Sequence, residues 1–280
     1  MSQAAGSAPA PKRVTTRSFA LARGRGERLV MVTAYDALFA RLVEEAGVDA
    51  ILVGDSLGNV VAGYETTVPV TLDQMIYHGA AVRRGASRAM VIVDLPFLTY
   101  QVTTERALLN AGRVMQETRC DAVKLEGGSE EIAATVRAMV RAGIPVMGHL
   151  GFTPQSVHVL GGFRVQGRDD AGAQRLLDEA RRLEDAGAFA MVLELVPGEV
   201  AARVREVVGI PTIGIGAGLE CDGQVLVLQD LLGLTDAFTP KFLKRYASLA
   251  GDVRGAVGAF AAEVRAGAYP GAEHVFRGDA

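Results

Sequence analysis

The sequence predicts an α/β protein built as one (β/α)8 TIM barrel, with a leading N-terminal helix and a C-terminal helical extension. Three observations carry that prediction. Strand-like and helix-like segments alternate along nearly the whole chain without a break in composition. The length of 280 residues suits a barrel, which needs about 250. Five short apolar runs each end in a residue that can bind metal or move a proton: AILVGD at Asp55, MVIVD at Asp94, VKLE at Glu126, PVMGH at His149 and AMVLE at Glu194. Runs this rich in valine and isoleucine read as strands buried on both faces. Charge is expensive there unless it is paired or metal-bound. Five such endings in one relative position point to a ring of functional groups at one end of a barrel.

The elements follow in order. Residues 1–13 (MSQAAGSAPAPKR) lack the apolar core of a signal peptide, and their small residues and prolines read as a disordered arm. Residues 14–280 then form one catalytic domain. A short helix is expected over 15–25, a strand over 29–36, and a helix over 37–47 with Leu38, Leu42 and Ala46 on one face. A strand over 50–56 leads into a long loop to about residue 70 and a helix near 72–85. The strand over 90–97 precedes a helix near 104–118. After the strand over 122–128, Ser129 is a natural N-cap, with Glu130 and Glu131 in the first turn of the next helix. The strand over 145–152 opens a loop to about 171. Leu176, Ala180 and Leu183 then mark another amphipathic helix. Strand 189–196, helix 198–208 and strand 211–218 follow, and an eighth strand falls near 224–238. Three helices stop at Ala-Gly (46–47, 142–143 and 186–187), where glycine can take the left-handed conformation that turns the chain back.

The rival architecture is a doubly wound open sheet. Its G-x-G-x-x-G turn is missing after the first strand, where Tyr35 and Asp36 stand. Gly214, Gly216 and Gly218 have the wrong spacing for a dinucleotide and suit close packing or substrate approach. Nearly half the residues are apolar, enough for a large core, yet no apolar stretch nears the roughly 18 residues of a membrane span. A net charge of −3 gives no electrostatic argument for nucleic acid or a membrane surface. Cys120 and Cys221 lack any C-x-x-C spacing, so neither a disulfide framework nor a zinc site is expected. The reading is a soluble cytoplasmic protein. Walker, G-x-S-x-G and H-E-x-x-H motifs are absent, which sets aside the common nucleotide hydrolases, serine esterases and zinc peptidases.

Barrel active sites lie at the carboxyl ends of the strands. Lys124 and Glu126, two residues apart, project from one face, and either neutralise each other or jointly hold an ionic ligand. Asp55, Asp94 and Glu126 supply hard oxygen donors that suit Mg²⁺, which takes one or two carboxylates and keeps waters or substrate oxygens. Each residue has a plainer reading as well. Asp55 before Ser56, and Asp94 before Leu95-Pro96, are also turn formers. Glu126 can serve only to pair with Lys124, and His149 can be a satisfied core histidine. Tyr35 and Asp36 can be core packing and a helix cap. Glu194, flanked by apolar residues on both sides, has the fewest structural excuses.

The segments TAYD (33–36), VGDSLG (53–58), TVPVT (67–71), DLPF (94–97), KLEGG (124–128), GHLGFTPQSV (148–157), VQGR (165–168), GIGAG (214–218) and YPGAEH (269–274) occur in this order. Together they closely resemble the ketopantoate hydroxymethyltransferase family, from about residue 14 to 276. The resemblance implies a magnesium-dependent (β/α)8 barrel that transfers a one-carbon unit from 5,10-methylenetetrahydrofolate to 3-methyl-2-oxobutanoate. It implies that Asp55 and Asp94 are metal ligands, that Glu126 is metal-associated, and that Glu194 is the catalytic base. Ser56 and Lys124 match contacts to the keto acid and His149 matches an active-site histidine, so Asp55, Ser56, Asp94, Lys124 and His149 are the expected substrate-binding positions. A homodecamer is implied too. The departures are the longer alanine- and proline-rich arm and Leu195, where some relatives carry cysteine. A second enzyme reading keeps barrel and metal but resembles the phosphoenolpyruvate mutase and isocitrate lyase group. A reading of another class is a non-catalytic barrel used for binding or assembly.

Overall fold

The computed structural model describes residues 12–235 and 239–276; the arm expected over residues 1–13 lies almost wholly outside them. The chain divides into two compact units, Met1–Val227 and Leu228–Ala280.

The first unit is the barrel. Its strands are β1 (Leu29–Thr33), β2 (Ala50–Val53), β3 (Met90–Asp94), β4 (Ala122–Lys124), β5 (Val146–Gly151), β6 (Ala190–Glu194), β7 (Thr212–Ile215) and β8 (Gly223–Leu226). They pair in parallel in sequence order, and β8 closes on β1. The helices are α1 (Thr16–Arg25), α2 (Ala37–Glu45), α3 (Leu57–Val60), α4 (Leu72–Gly85), α5 (Thr104–Thr118), α6 (Glu130–Arg141), α7 (Val157–Leu160), α8 (Asp170–Asp185) and α9 (Gly198–Val207).

Helix starts follow side-chain chemistry. Thr15, Asp36, Thr71, Thr103, Ser129 and Asp169 each accept a hydrogen bond from the backbone N–H three residues on, a cap worth about 1 kcal/mol. At the expected stops Gly47, Gly143 and Gly187 have φ of 94°, 86° and 97°, a region that residues with a Cβ avoid.

β2, β3, β4 and β6 end sooner than the apolar runs suggest, because the chain leaves the sheet at or just before Asp55, Asp94, Glu126 and Glu194, whereas β5 continues through His149 to Gly151. The long loop before residue 70 holds the single turn α3. The expected face of α2 is not the buried one: Ala40 and Val43 are buried, whereas Leu38 and Leu42 are 55% and 47% exposed. Small residues let α2 pack closely beside α4, and that outweighs burial of the larger leucines. In α8, Leu176, Ala180 and Leu183 are buried as expected.

Inside the barrel, Met31, Met90 and Met147 alternate with Ala50, Ala122 and Ala190, large against small, so the interior is filled. α1 belongs to the same core. Its Phe19 is fully buried with Leu29, Met31 and Val225 and meets Phe189 edge to face at 5.7 Å. Burying such a ring stabilises by about 1.5–3 kcal/mol. Arg23 ties the helix down, donating to Asp222 Oδ2 at 2.6 Å and to the Ile210 and Arg205 carbonyls at 2.8 and 2.7 Å. Burial disfavours the Asp222 charge, but the Thr212 N–H, Arg205 and Arg23 outweigh that and hold its carboxyl below the usual range. The amino-terminal end of the barrel is thereby plugged.

The second unit contains α10 (Leu228–Leu231), part of the span expected to be strand, and α11 (Leu249–Arg265), the expected helical extension. Residues 236–238, the end of that expected span, lie outside the described residues. Among the described residues no helix is long and apolar enough to cross a membrane.

Candidate active site

The five chemistry-bearing strand ends converge at the carboxyl end of the barrel. Asp94 closes β3 and Lys124 closes β4, and the parallel register sets them side by side. Lys124 Nζ lies 2.9 Å from Asp94 Oδ1 and 3.2 Å from His149 Nδ1. His149 Nε2 approaches Glu194 Oε2 at 3.3 Å, without hydrogen-bond alignment. Asp55, two residues beyond β2, is bound into the same cluster, since its backbone N–H donates to Asp94 Oδ2 at 3.1 Å. Glu126 Oε1 is 3.6 Å from His149 Nδ1. Ser56 is the outlier, and its hydroxyl meets Tyr35 OH at 2.9 Å. The primary partner of Lys124 is therefore Asp94, across the sheet, rather than Glu126 on its own strand.

Burial and like charge dominate the electrostatics. Asp55 is pushed well above the carboxylate range by burial and then by the Asp94 and Glu126 charges. Burial also raises Glu126 to about 8, with Lys124 opposing and Asp94 adding to the shift. For Lys124 burial works against the charge, but Asp94, Glu126 and Asp55 outweigh it and hold the ammonium above its ordinary value. Burial, then the Lys124 charge, lower His149 despite Glu194. A neutral His149 whose Nδ1 accepts from the Lys124 ammonium carries its proton on Nε2, facing Glu194. The side chains of Asp94, Lys124, Glu126 and His149 are 3–4% exposed, whereas Glu194 keeps 17%. Glu194 is thus the member of the cluster nearest to solvent.

Three buried carboxylates against one ammonium form a site short of positive charge. Glu126 Oε1 is buried without a hydrogen-bond partner, and all the acidic donors are hard oxygens. That set fits a divalent cation of the magnesium type. Among the described residues no three His, Cys, Asp or Glu side chains stand ready to enclose an ion, so a cation held here would take one or two carboxylates and other oxygens besides.

Two residues of the site were not legible as functional. Gln155, in a 3₁₀ turn after β5, donates to Asp55 Oδ2 at 2.9 Å and, through its backbone, to Glu126 Oε2 at 3.0 Å. Tyr100 OH accepts from the Glu126 N–H at 3.0 Å. The only signal for Gln155 is a polar residue within the GHLGFTPQSV segment. A cleft of about 170 Å³ lies beside the chain that leaves β4 and β5, lined by Gly127, Gly128, Gly151, Arg175 and Glu179 among others and by none of the cluster's carboxylates. Cys120 and Cys221 are buried and free, and burial raises both thiols to about 11, which leaves them inert at neutral pH.

A family model described as "Ketopantoate hydroxymethyltransferase" matches residues 13–272. The chain is 53% identical over 265 residues to the 3-methyl-2-oxobutanoate hydroxymethyltransferase of Syntrophus aciditrophicus, covering 95% of this chain and 97% of that one. It is 55% identical over 265 residues to the enzyme of the same name from Moorella thermoacetica, with 95% and 98% covered. Among solved structures, 2,3-dimethylmalate lyase, a member of the PEP mutase/isocitrate lyase superfamily, matches with a TM-score of 0.59 at 17% identity, over 93% of this chain and 91% of that chain. At that identity the likeness is one of fold.

Proposed function

The chain belongs to the ketopantoate hydroxymethyltransferase family, and from that premise we propose that it transfers a hydroxymethyl group from 5,10-methylenetetrahydrofolate to 3-methyl-2-oxobutanoate, forming 2-dehydropantoate. The observation that carries the site assignment is the separation of two carboxylate groups. Asp55, Asp94 and Glu126 cluster around Lys124, while Glu194 stands apart beyond His149 and nearer solvent.

Asp55 and Asp94 are the direct holders of Mg²⁺ in this reading and Glu126 is metal-associated. When bound, the cation supplies Lewis-acid polarisation of the keto acid, which acidifies its C3–H. Lys124 and Ser56 hold the substrate, and the ammonium offsets negative charge as it develops. Glu194 removes the C3 proton, with His149 Nε2 3.3 Å from its Oε2. The carbanion then forms the new C–C bond to the one-carbon unit, water supplies the hydroxyl oxygen, and tetrahydrofolate leaves.

We further propose a cytoplasmic homo-oligomer, a decamer by resemblance. Its support is the unburied apolar stripe of α11, where Val253, Val257, Phe260 and Val264 recur at helical spacing with 46–60% exposure. Sedimentation at several concentrations tests it, and a monomer throughout would refute it.

The chemistry is tested by following exchange of the C3 proton of 3-methyl-2-oxobutanoate in D₂O without folate. Glu194→Gln should slow exchange by about 10²–10⁴-fold while the keto acid still raises the melting temperature in the presence of Mg²⁺. Exchange at the native rate would remove Glu194 from the role of base.

A further inference from the structure

Gln155 reaches the cluster from a 3₁₀ turn (Pro154–Ser156) and is 5% exposed. A carboxamide has two donor hydrogens and two acceptor positions, and all four are used. Nε2 donates to Asp55 Oδ2 at 2.9 Å and to the Leu95 carbonyl at 3.0 Å. Oε1 accepts from Tyr100 OH at 2.8 Å and from Gln101 Nε2 at 3.1 Å. The orientation of the amide is fixed by these partners. Turned over, its NH₂ would face the Gln101 NH₂ and its oxygen would face the Asp55 carboxylate.

The same residue also uses its backbone N–H, which donates to Glu126 Oε2 at 3.0 Å. One residue therefore takes one oxygen of each of two buried acids that repel each other. Glu126 Oε1 is buried without a hydrogen-bond partner among the described residues, and the Gln155 amide is held to Asp55 through Oδ2 alone. Without the amide donor, the Asp55 carboxylate loses the hydrogen bond that fixes its Oδ2.

We propose that Gln155 is the positioning residue of the cation site, holding one oxygen of Asp55 and one of Glu126 so that their second oxygens stay available to a divalent cation. The inference rests on the reading of these carboxylates as a cation site. Tyr100 supports it indirectly, because its hydroxyl accepts from the Glu126 N–H and donates to the Gln155 oxygen.

Titration of the full-length protein with Mn²⁺, followed by electron paramagnetic resonance without substrate, tests the proposal. The unaltered protein should bind Mn²⁺; if it does not, the cation reading itself is wrong. Gln155→Met keeps length and apolar volume but removes the amide. It should raise the Mn²⁺ Kd by about 10–100-fold, the usual cost of losing a residue that orients metal ligands. Tyr100→Phe should raise it less, in the same direction. A variant that merely loosens the fold lowers the melting temperature but leaves Kd unchanged well below melting. Native Mn²⁺ affinity in Gln155→Met overturns the proposal. Should that variant fail to fold, native affinity in Tyr100→Phe overturns it equally.

Discussion

Replacing Lys124 by methionine keeps the stem and deletes the one ammonium among three buried acids. The lost pair stands 2.9 Å from Asp94 Oδ1. At an effective dielectric of about 20, two unit charges at that distance attract by roughly 6 kcal/mol. Part is recovered because no ammonium then has to be buried. Removing one partner of a buried pair leaves a net cost of about 3–5 kcal/mol. For a chain of this size that lowers Tm by about 6–20 °C. The loss has a definite pH dependence. Without Lys124 the folded-state pKa values of Asp55 and Glu126, which its charge lowers, rise further, so the folded protein binds protons that the unfolded chain has released. Stability then falls as pH rises, and the deficit is largest above the raised values and shrinks in acid. Calorimetric melting of both proteins without metal, across a pH series, measures this, and added Mg²⁺ should return part of the loss. A deficit below about 1 kcal/mol, or one that grows as pH falls, would refute the account of the cluster.

Three further outcomes are expected. In the native protein, with Glu126 at about 8 and Asp55 also raised, protons compete with a cation. The rise in Tm caused by Mg²⁺ should therefore be larger above about pH 8 than in mild acid, and the metal-free protein should lose stability as pH rises through that range; a Mg²⁺ effect independent of pH would contradict this. Phe19→Ala, at the plugged end, should cost about 3–5 kcal/mol in urea unfolding yet leave kcat unchanged where the variant is folded, and a matching fall in kcat would show that the two ends are coupled. Gly151→Ala should destabilise by more than about 1 kcal/mol, because φ is 90° and the new Cβ would lie 2.2 Å from the Glu194 carbonyl oxygen; an unchanged Tm would mean that β5 and β6 tolerate separation there.

The strand ends were legible because parallel strands buried on both faces must be apolar until the chain emerges at the active end. A charge there stands out, as Asp94 does after MVIV. The helix start at Ser129 was legible because capping is local chemistry. What escaped is set by register and distance. Nothing near Lys124 in sequence says that its partner is Asp94 on the next strand. Gln155 is 100 residues from Asp55, and a lone glutamine after proline carries no spacing signal. The exposed leucines of α2 were misread because periodicity shows which residues share a face and not which face meets a neighbour.

The plug in the barrel also has a consequence in time. Phe19 and Arg23 leave the ribosome early, yet Arg23 waits for Asp222, 199 residues later. At 5–20 residues per second that is about 10–40 s of synthesis. Until β8 arrives to pair with both β1 and β7, those two strands are open edges, able to pair with another nascent chain. The first helix made is thus among the last to dock, and the interval of greatest exposure to aggregation ends only when the ring is closed.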